Sequence, residues 1–86
     1  MSTLVPEPAP GLDVHEVDDG LVIYDLETDR VHYLNATASL VFALCTGEHD
    51  EAGIIELVGA AWQLPDPPAV EVRACLAQLR DEGVIR

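Results

Sequence analysis

The sequence predicts an α+β domain in which a three-stranded antiparallel meander precedes three helices, in a winged helix-turn-helix-like order. Three observations carry this. Between residues 12 and 34 the apolar residues come in short runs separated by turn residues, which is strand grammar. From Asn35 onward they recur every three or four positions, which is helix grammar. The chain has 86 residues, and a second hydrophobic core would need roughly 50 more before it could offset its own chain entropy.

Residues 1–11 are expected to be a flexible proline-rich tail, since Pro6, Pro8 and Pro10 alternate with small or acidic residues up to Gly11, a spacing that favours extended, unpaired backbone. The remainder, 12–86, is expected to be a single domain. Leu12 to Val17 alternates and leads into Asp18-Asp19-Gly20. The Asp-Gly pair signals a hairpin turn with positive φ at both central residues. Leu21 to Leu26 is the second strand, Glu27-Thr28-Asp29 the next turn, and Arg30 to Leu34 the third strand. Three such strands do not hold together alone in water, so helices must cover one face.

Asn35 is a good N-cap for a helix running to Cys45, with a stop at Thr46-Gly47. Asp50 caps a second helix carrying Ile54, Ile55, Leu57, Val58, Ala61 and Trp62 at helical spacing. Gly53 and Gly59 weaken that helix by roughly 1 kcal/mol each, so it must depend on packing. Pro65-Asp66-Pro67-Pro68 ends it and starts the third helix, with Asp66 a candidate cap. That helix runs to Glu82, Gly83 is its natural C-terminal stop, and Val84-Ile85 folds back as an apolar clasp.

Composition excludes several functions. Sixteen acidic residues against four arginines give a net charge of −12, with no lysine. Nucleic acid binding needs clustered cations to displace counterions, and an anionic membrane surface disfavours such a chain equally. The third helix sets Arg73, Gln78 and Arg80 against Glu71, Asp81 and Glu82, a poor recognition helix despite the winged-helix order. Neither a signal peptide nor an apolar run of roughly 18 residues is present, so a cytoplasmic location is expected. The chain has no G-x-S-x-G, H-E-x-x-H, G-x-G-x-x-G or P-loop motif, and His15, His32 and His49 share no metal spacing and read as surface or strand histidines. No catalytic residue, metal or cofactor is therefore expected. Trp62 reads as packing rather than a stacking platform, and Cys45 and Cys75 as buried, reduced thiols.

What remains is a sheet edge. In a meander the second strand is central, so Arg30, Val31, His32, Tyr33 and Leu34 leave one row of backbone donors and acceptors free unless a helix covers it. This segment contains one charge and no proline, so it is poorly defended against pairing. It is either an ordinary edge strand or a docking rail for an added peptide strand.

Residues 22–38, VIYDLETDRVHYLNATA, resemble the hairpin and "LN-x-T-A" helix start of PqqD-like proteins. Thr46-Gly47, Ile54 with Leu57, Val72 with Leu76 and Leu79, and Gly83-Val84-Ile85 fall where that family has its "dG", "I-x-x-L" and "DV-x-x-FL-x-x-L-x-x-x-GL(I/V)" elements. The resemblance spans roughly residues 12–86. It implies a recognition element for ribosomally made, post-translationally modified peptides. Such an element is non-catalytic: it binds the leader of a precursor and presents its core to a modifying enzyme such as a radical SAM maturase, a cyclase or a leader peptidase. The leader would join as a strand beside Arg30–Leu34, its side chains entering a groove whose helix 3 face is Glu71, Cys75, Gln78 and Leu79. Two departures stand out. Glu71 replaces the family's frequent aspartate, and Cys75 its frequent bulky aromatic, which implies a wider or shallower pocket. The competing reading is a diverged regulatory winged helix, or a non-catalytic subunit that regulates an enzyme without binding a leader.

Overall fold

Ile23 and Leu34, both almost wholly removed from solvent, are where the sheet meets the helices. The computed structural model describes residues 5–86. In order, the elements are β1 (Leu12–Val17), β2 (Gly20–Asp25), β3 (Arg30–Leu34), α1 (Ala36–Leu44), α2 (Glu51–Ala61) and α3 (Ala69–Asp81). The strands form one antiparallel sheet in the order β1-β2-β3. Helix α1 lies against β2 and β3 and packs on α3, which also packs on α2. Past Leu12 every residue of β1 is exposed, so the helices cover only part of the sheet. The core joins Ile23 and Leu34 to Val41, Ile54, Val58, Val72, Leu76, Leu79, Val84 and Ile85.

The first turn is not the one expected. Val17 pairs with Gly20, so the two-residue loop is Asp18-Asp19, and neither these residues nor Gly20 has positive φ. Gly20 is needed for another reason. A Cβ there would stand 1.8 Å from the carbonyl oxygen of Leu34, so only glycine lets β2 pass the end of β3. In the second hairpin Asp25 pairs with Arg30, and the Asp25 carboxylate accepts from the N–H groups of Glu27 and Thr28 at 3.1 and 3.3 Å. Asp29 takes the left-handed conformation at φ 61°, which Asp tolerates better than most residues.

The helix caps follow the sequence reading in two cases of three. Asn35 accepts from the N–H of Ala38 at 2.9 Å, and Asp50 from that of Gly53 at 2.8 Å. Asp66 does not cap α3. Its N-cap position is Pro68, with no side-chain cap hydrogen bond. Helix α2 also stops short of the proline cluster, because Gln63 turns left-handed at φ 54° and Leu64 donates back to Gly59. At the end of α3, Gly83 has φ 78°, Gly83 N–H donates to Arg80 O and Val84 N–H to Leu79 O. This paired closure of a helix end buries Val84 over Leu79.

Residues 5–11 of the proline-rich segment are not unpaired; residues 1–4 of the expected tail lie outside the described residues. Pro6 is fully buried, and its carbonyl accepts from Gly47 N–H. Pro8 forms a bridge with Ile85, Ala9 donates to Val84 O, and Arg86 donates to Glu7 O. The clasp formed by Val84-Ile85 therefore holds this segment as well as the core.

Candidate functional site

Which backbone groups of β3 have no partner among the described residues follows from one hydrogen bond. Leu26, one residue past β2, donates to Gly11 O at 2.9 Å on the β1 side. Backbone groups alternate sides along an antiparallel strand, so even-numbered residues of β2 bond toward β1 and odd-numbered ones toward β3. Ile23 pairs with His32 and Asp25 with Arg30, so Arg30, His32 and Leu34 bond inward. The N–H and C=O groups of Val31 and Tyr33 face away from the sheet, and both residues are exposed, at 61% and 55%.

Side chains alternate too. His32 and Leu34 point into the domain, and His32 is only 8% exposed. Of the two readings the sequence left for it, surface or strand, His32 is a strand histidine, and its ring faces the interior. Its Nδ1 lies 3.9 Å from Glu82 Oε1, and its Nε2 is buried without a hydrogen-bond partner among the described residues.

Beside this edge is a cavity of about 120 Å³ lined by Tyr33, Leu34, Asn35, Ala38, Cys75, Gln78, Leu79 and Glu82. It has room for about one side chain, since an apolar cavity of ~150 Å³ accepts a benzene ring. Of the residues that the sequence suggested, Tyr33, Leu34, Cys75, Gln78 and Leu79 meet here. Arg30, Val31 and His32 belong to the strand but do not line the cavity. Glu71 lines a different one, with Trp62. Sequence reasoning missed Glu82, Asn35 and Ala38. Glu82 was within reach, because Glu71, Cys75, Gln78 and Glu82 follow the i, i+4, i+7, i+11 pattern of one helix stripe. Asn35 and Ala38 required knowing that the first turn of α1 crosses α3.

The cavity is anionic, with Glu82 on its wall and no arginine among its lining residues. The Asp19 carboxylate, and after it burial, raises the Tyr33 phenol above its ordinary pKa. Among the described residues no cluster of three or more His, Cys, Asp or Glu side chains is placed to hold a metal ion. No helix among them is long and apolar enough to cross a membrane.

The two thiols differ, contrary to the sequence expectation that both are buried. Cys45 is fully enclosed and donates to Val41 O at 3.2 Å; burial pushes its pKa up to about 11. Cys75 is partly exposed, and burial, then Glu82, raises its thiol. Native iodoacetamide labelling followed by mass spectrometry should modify Cys75 first and leave Cys45 untouched until denaturant is added, because the thiolate is the reactive form. Equal rates for both would contradict this difference in enclosure.

The profile described as "Coenzyme PQQ synthesis protein D (PqqD)" matches residues 20–85, a span running from the start of β2 to the clasp. Among proteins of curated function none matches. A solved structure described as "TbiB1 in Complex with the TbiA(beta) Leader Peptide" superposes with a TM-score of 0.79, covering 93% of this chain and 94% of that one at 20% identity. At that identity the likeness speaks for the fold. With the strand–helix order, the Leu34-Asn35 helix start and the Gly83-Val84-Ile85 closure all inside the matched span, the chain belongs to the PqqD family.

Proposed function

We propose that this protein is a non-catalytic adaptor in the biosynthesis of a ribosomally made, modified peptide, binding the precursor's leader by strand addition at β3. The observation that carries this reading is the juxtaposition of a free backbone rail, Val31 and Tyr33, with the cavity lined by α3. Main-chain hydrogen bonds on the rail supply affinity, and a side chain entering the cavity supplies selectivity. Family membership supports it, as does the fold shared with TbiB1, a protein solved with a leader peptide. The net charge of −12 favours leaders that carry lysine or arginine. The partner that receives the presented precursor would be a modifying enzyme such as a radical SAM maturase, a cyclase or a leader peptidase, in the cytoplasm.

The cavity half of the proposal is tested by Cys75→Trp. An indole at position 75 would fill the 120 Å³ cavity beside Gln78 and Glu82 and leave no space for a leader side chain, and Cys75 is partly exposed, so the larger ring is accommodated without unfolding the helix. Fluorescence polarisation with fluorescein-labelled synthetic leaders of the precursor peptides encoded in the same genome should show affinity reduced at least about tenfold, the loss of one buried side-chain contact. Circular dichroism confirms that the variant is folded. Unchanged affinity in the folded variant would remove the cavity from the binding site.

A further inference from the structure

A second cavity, of about 300 Å³, opens where α1, α2 and α3 converge, walled by Val58, Trp62, Leu64, Pro68 and Val72, with Thr37 and Glu71 completing the lining. Trp62 is 43% exposed and Leu64 41%. Trp62 therefore does not serve mainly as core packing, the role its helical spacing suggested. An indole and a leucine left half open around an apolar hollow make an exposed apolar patch of the kind that marks an interaction site.

The hollow is separate from the strand-addition groove but lies next to it along the same two helices, α1 and α3. Thr37 lines the second cavity and the next residue, Ala38, lines the first. On α3, Glu71 is one turn from Cys75 on the stripe that continues to Gln78 and Glu82. From Glu71 to Gln78 the helix rises about 10 Å at 1.5 Å per residue, the span of roughly three extended residues at 3.3 Å each. Because α1 follows β3, the second cavity lies beyond the Leu34 end of the edge.

We propose that the Trp62 cavity is a second subsite for the same peptide, an inference that rests on the leader reading above. Its occupant is an aromatic or branched aliphatic side chain about three residues from the one seated beside Gln78 in the first cavity. If the leader adds antiparallel, as the rest of the sheet pairs, this anchor precedes the paired segment in sequence. The apolar walls reject a charged side chain, and Glu71 together with the protein's negative charge rejects an acidic one most strongly. Recognition then reads two side chains at a fixed spacing, which a single 120 Å³ cavity could not do.

Trp62 is the only tryptophan, so its emission reports on this cavity alone. Unlabelled leader, synthesised with phenylalanine in place of any tryptophan, should shift Trp62 emission to the blue and protect it from acrylamide. Replacing the leader's anchor residue by serine should abolish the shift and weaken binding about tenfold in polarisation. Leu64→Ala, which leaves the fluorophore intact, should weaken binding in the same direction. Leader that binds in polarisation while Trp62 emission and quenching stay unchanged overturns the subsite and leaves the strand-addition function standing. Absence of leader binding by either readout overturns both. Trp62 shielded in the free protein and uncovered on dilution would identify a self-association face and also overturn the subsite.

Discussion

Tyr33→Pro should abolish most leader binding while leaving the domain folded. The Tyr33 N–H faces away from the sheet, as the hydrogen bond of Leu26 to Gly11 O and the pairing of Ile23 with His32 require. Proline is tolerated where the missing donor lies on the open side of an edge strand. His32, the residue before it, is already extended, the conformation that a following proline demands. An incoming strand loses one main-chain hydrogen bond and meets the ring where its own backbone should lie. We expect about a 30-fold loss or more, corresponding to roughly 2 kcal/mol. Tyr33→Ala removes the side chain and keeps the N–H, so it should lose much less. Calorimetry with the synthetic leader, with circular dichroism on each variant, separates backbone from side chain. Wild-type affinity in folded Tyr33→Pro would end the strand-addition model.

The second large effect is on stability. Gly20→Ala places a methyl group 1.8 Å from Leu34 O, 2.9 Å from Leu34 C and 3.2 Å from Asn35 C. All three are backbone atoms, so no side-chain rotation relieves the clash. Relief requires β2 to part from β3 at the junction where Leu34 enters the core and Asn35 caps α1. A cost on the order of 3 kcal/mol is expected, a large share of the roughly 5–15 kcal/mol that holds a domain together. For a domain of this size the midpoint of thermal unfolding should fall by more than about 10 °C. Calorimetric scanning measures it. A midpoint within about 2 °C of the wild type would show that the strands part without cost.

Both predictions depend on details that the amino-acid order leaves open. Arg30–Leu34 is legible as an edge strand, but whether His32 or Tyr33 turns its N–H outward is not. A shift of one residue in register exchanges the two faces, and the four-residue connection between Asp25 and Arg30 is what sets the register. Gly20 is legible as a turn glycine only in the sense that something there is tight. Its actual neighbour, the Leu34 carbonyl, is fourteen residues away and visible only once β2 and β3 are paired.

By itself the sequence determined the order of the elements, the caps at Asn35 and Asp50, the closure at Gly83 and the helical stripe carrying Cys75 and Gln78. These are local matters, settled by periodicities of two and 3.6 residues and by side chains that satisfy the nearest backbone N–H. Composition likewise argued against nucleic acid, because charge needs no fold to be counted. Only the tertiary structure decided that Pro6 and Pro8 dock against the chain's end, that His32 is interior while Cys75 is partly open, and that Asn35, Ala38 and Glu82 share a cavity. It also separated Glu71 from that cavity and placed it with Trp62. The physical reason is the same in each case. Burial and cavity shape are set by which distant segments cross, here α1 over α3 and the N-terminal segment over the Val84-Ile85 clasp, and crossings depend on packing summed over the whole core rather than on any local pattern.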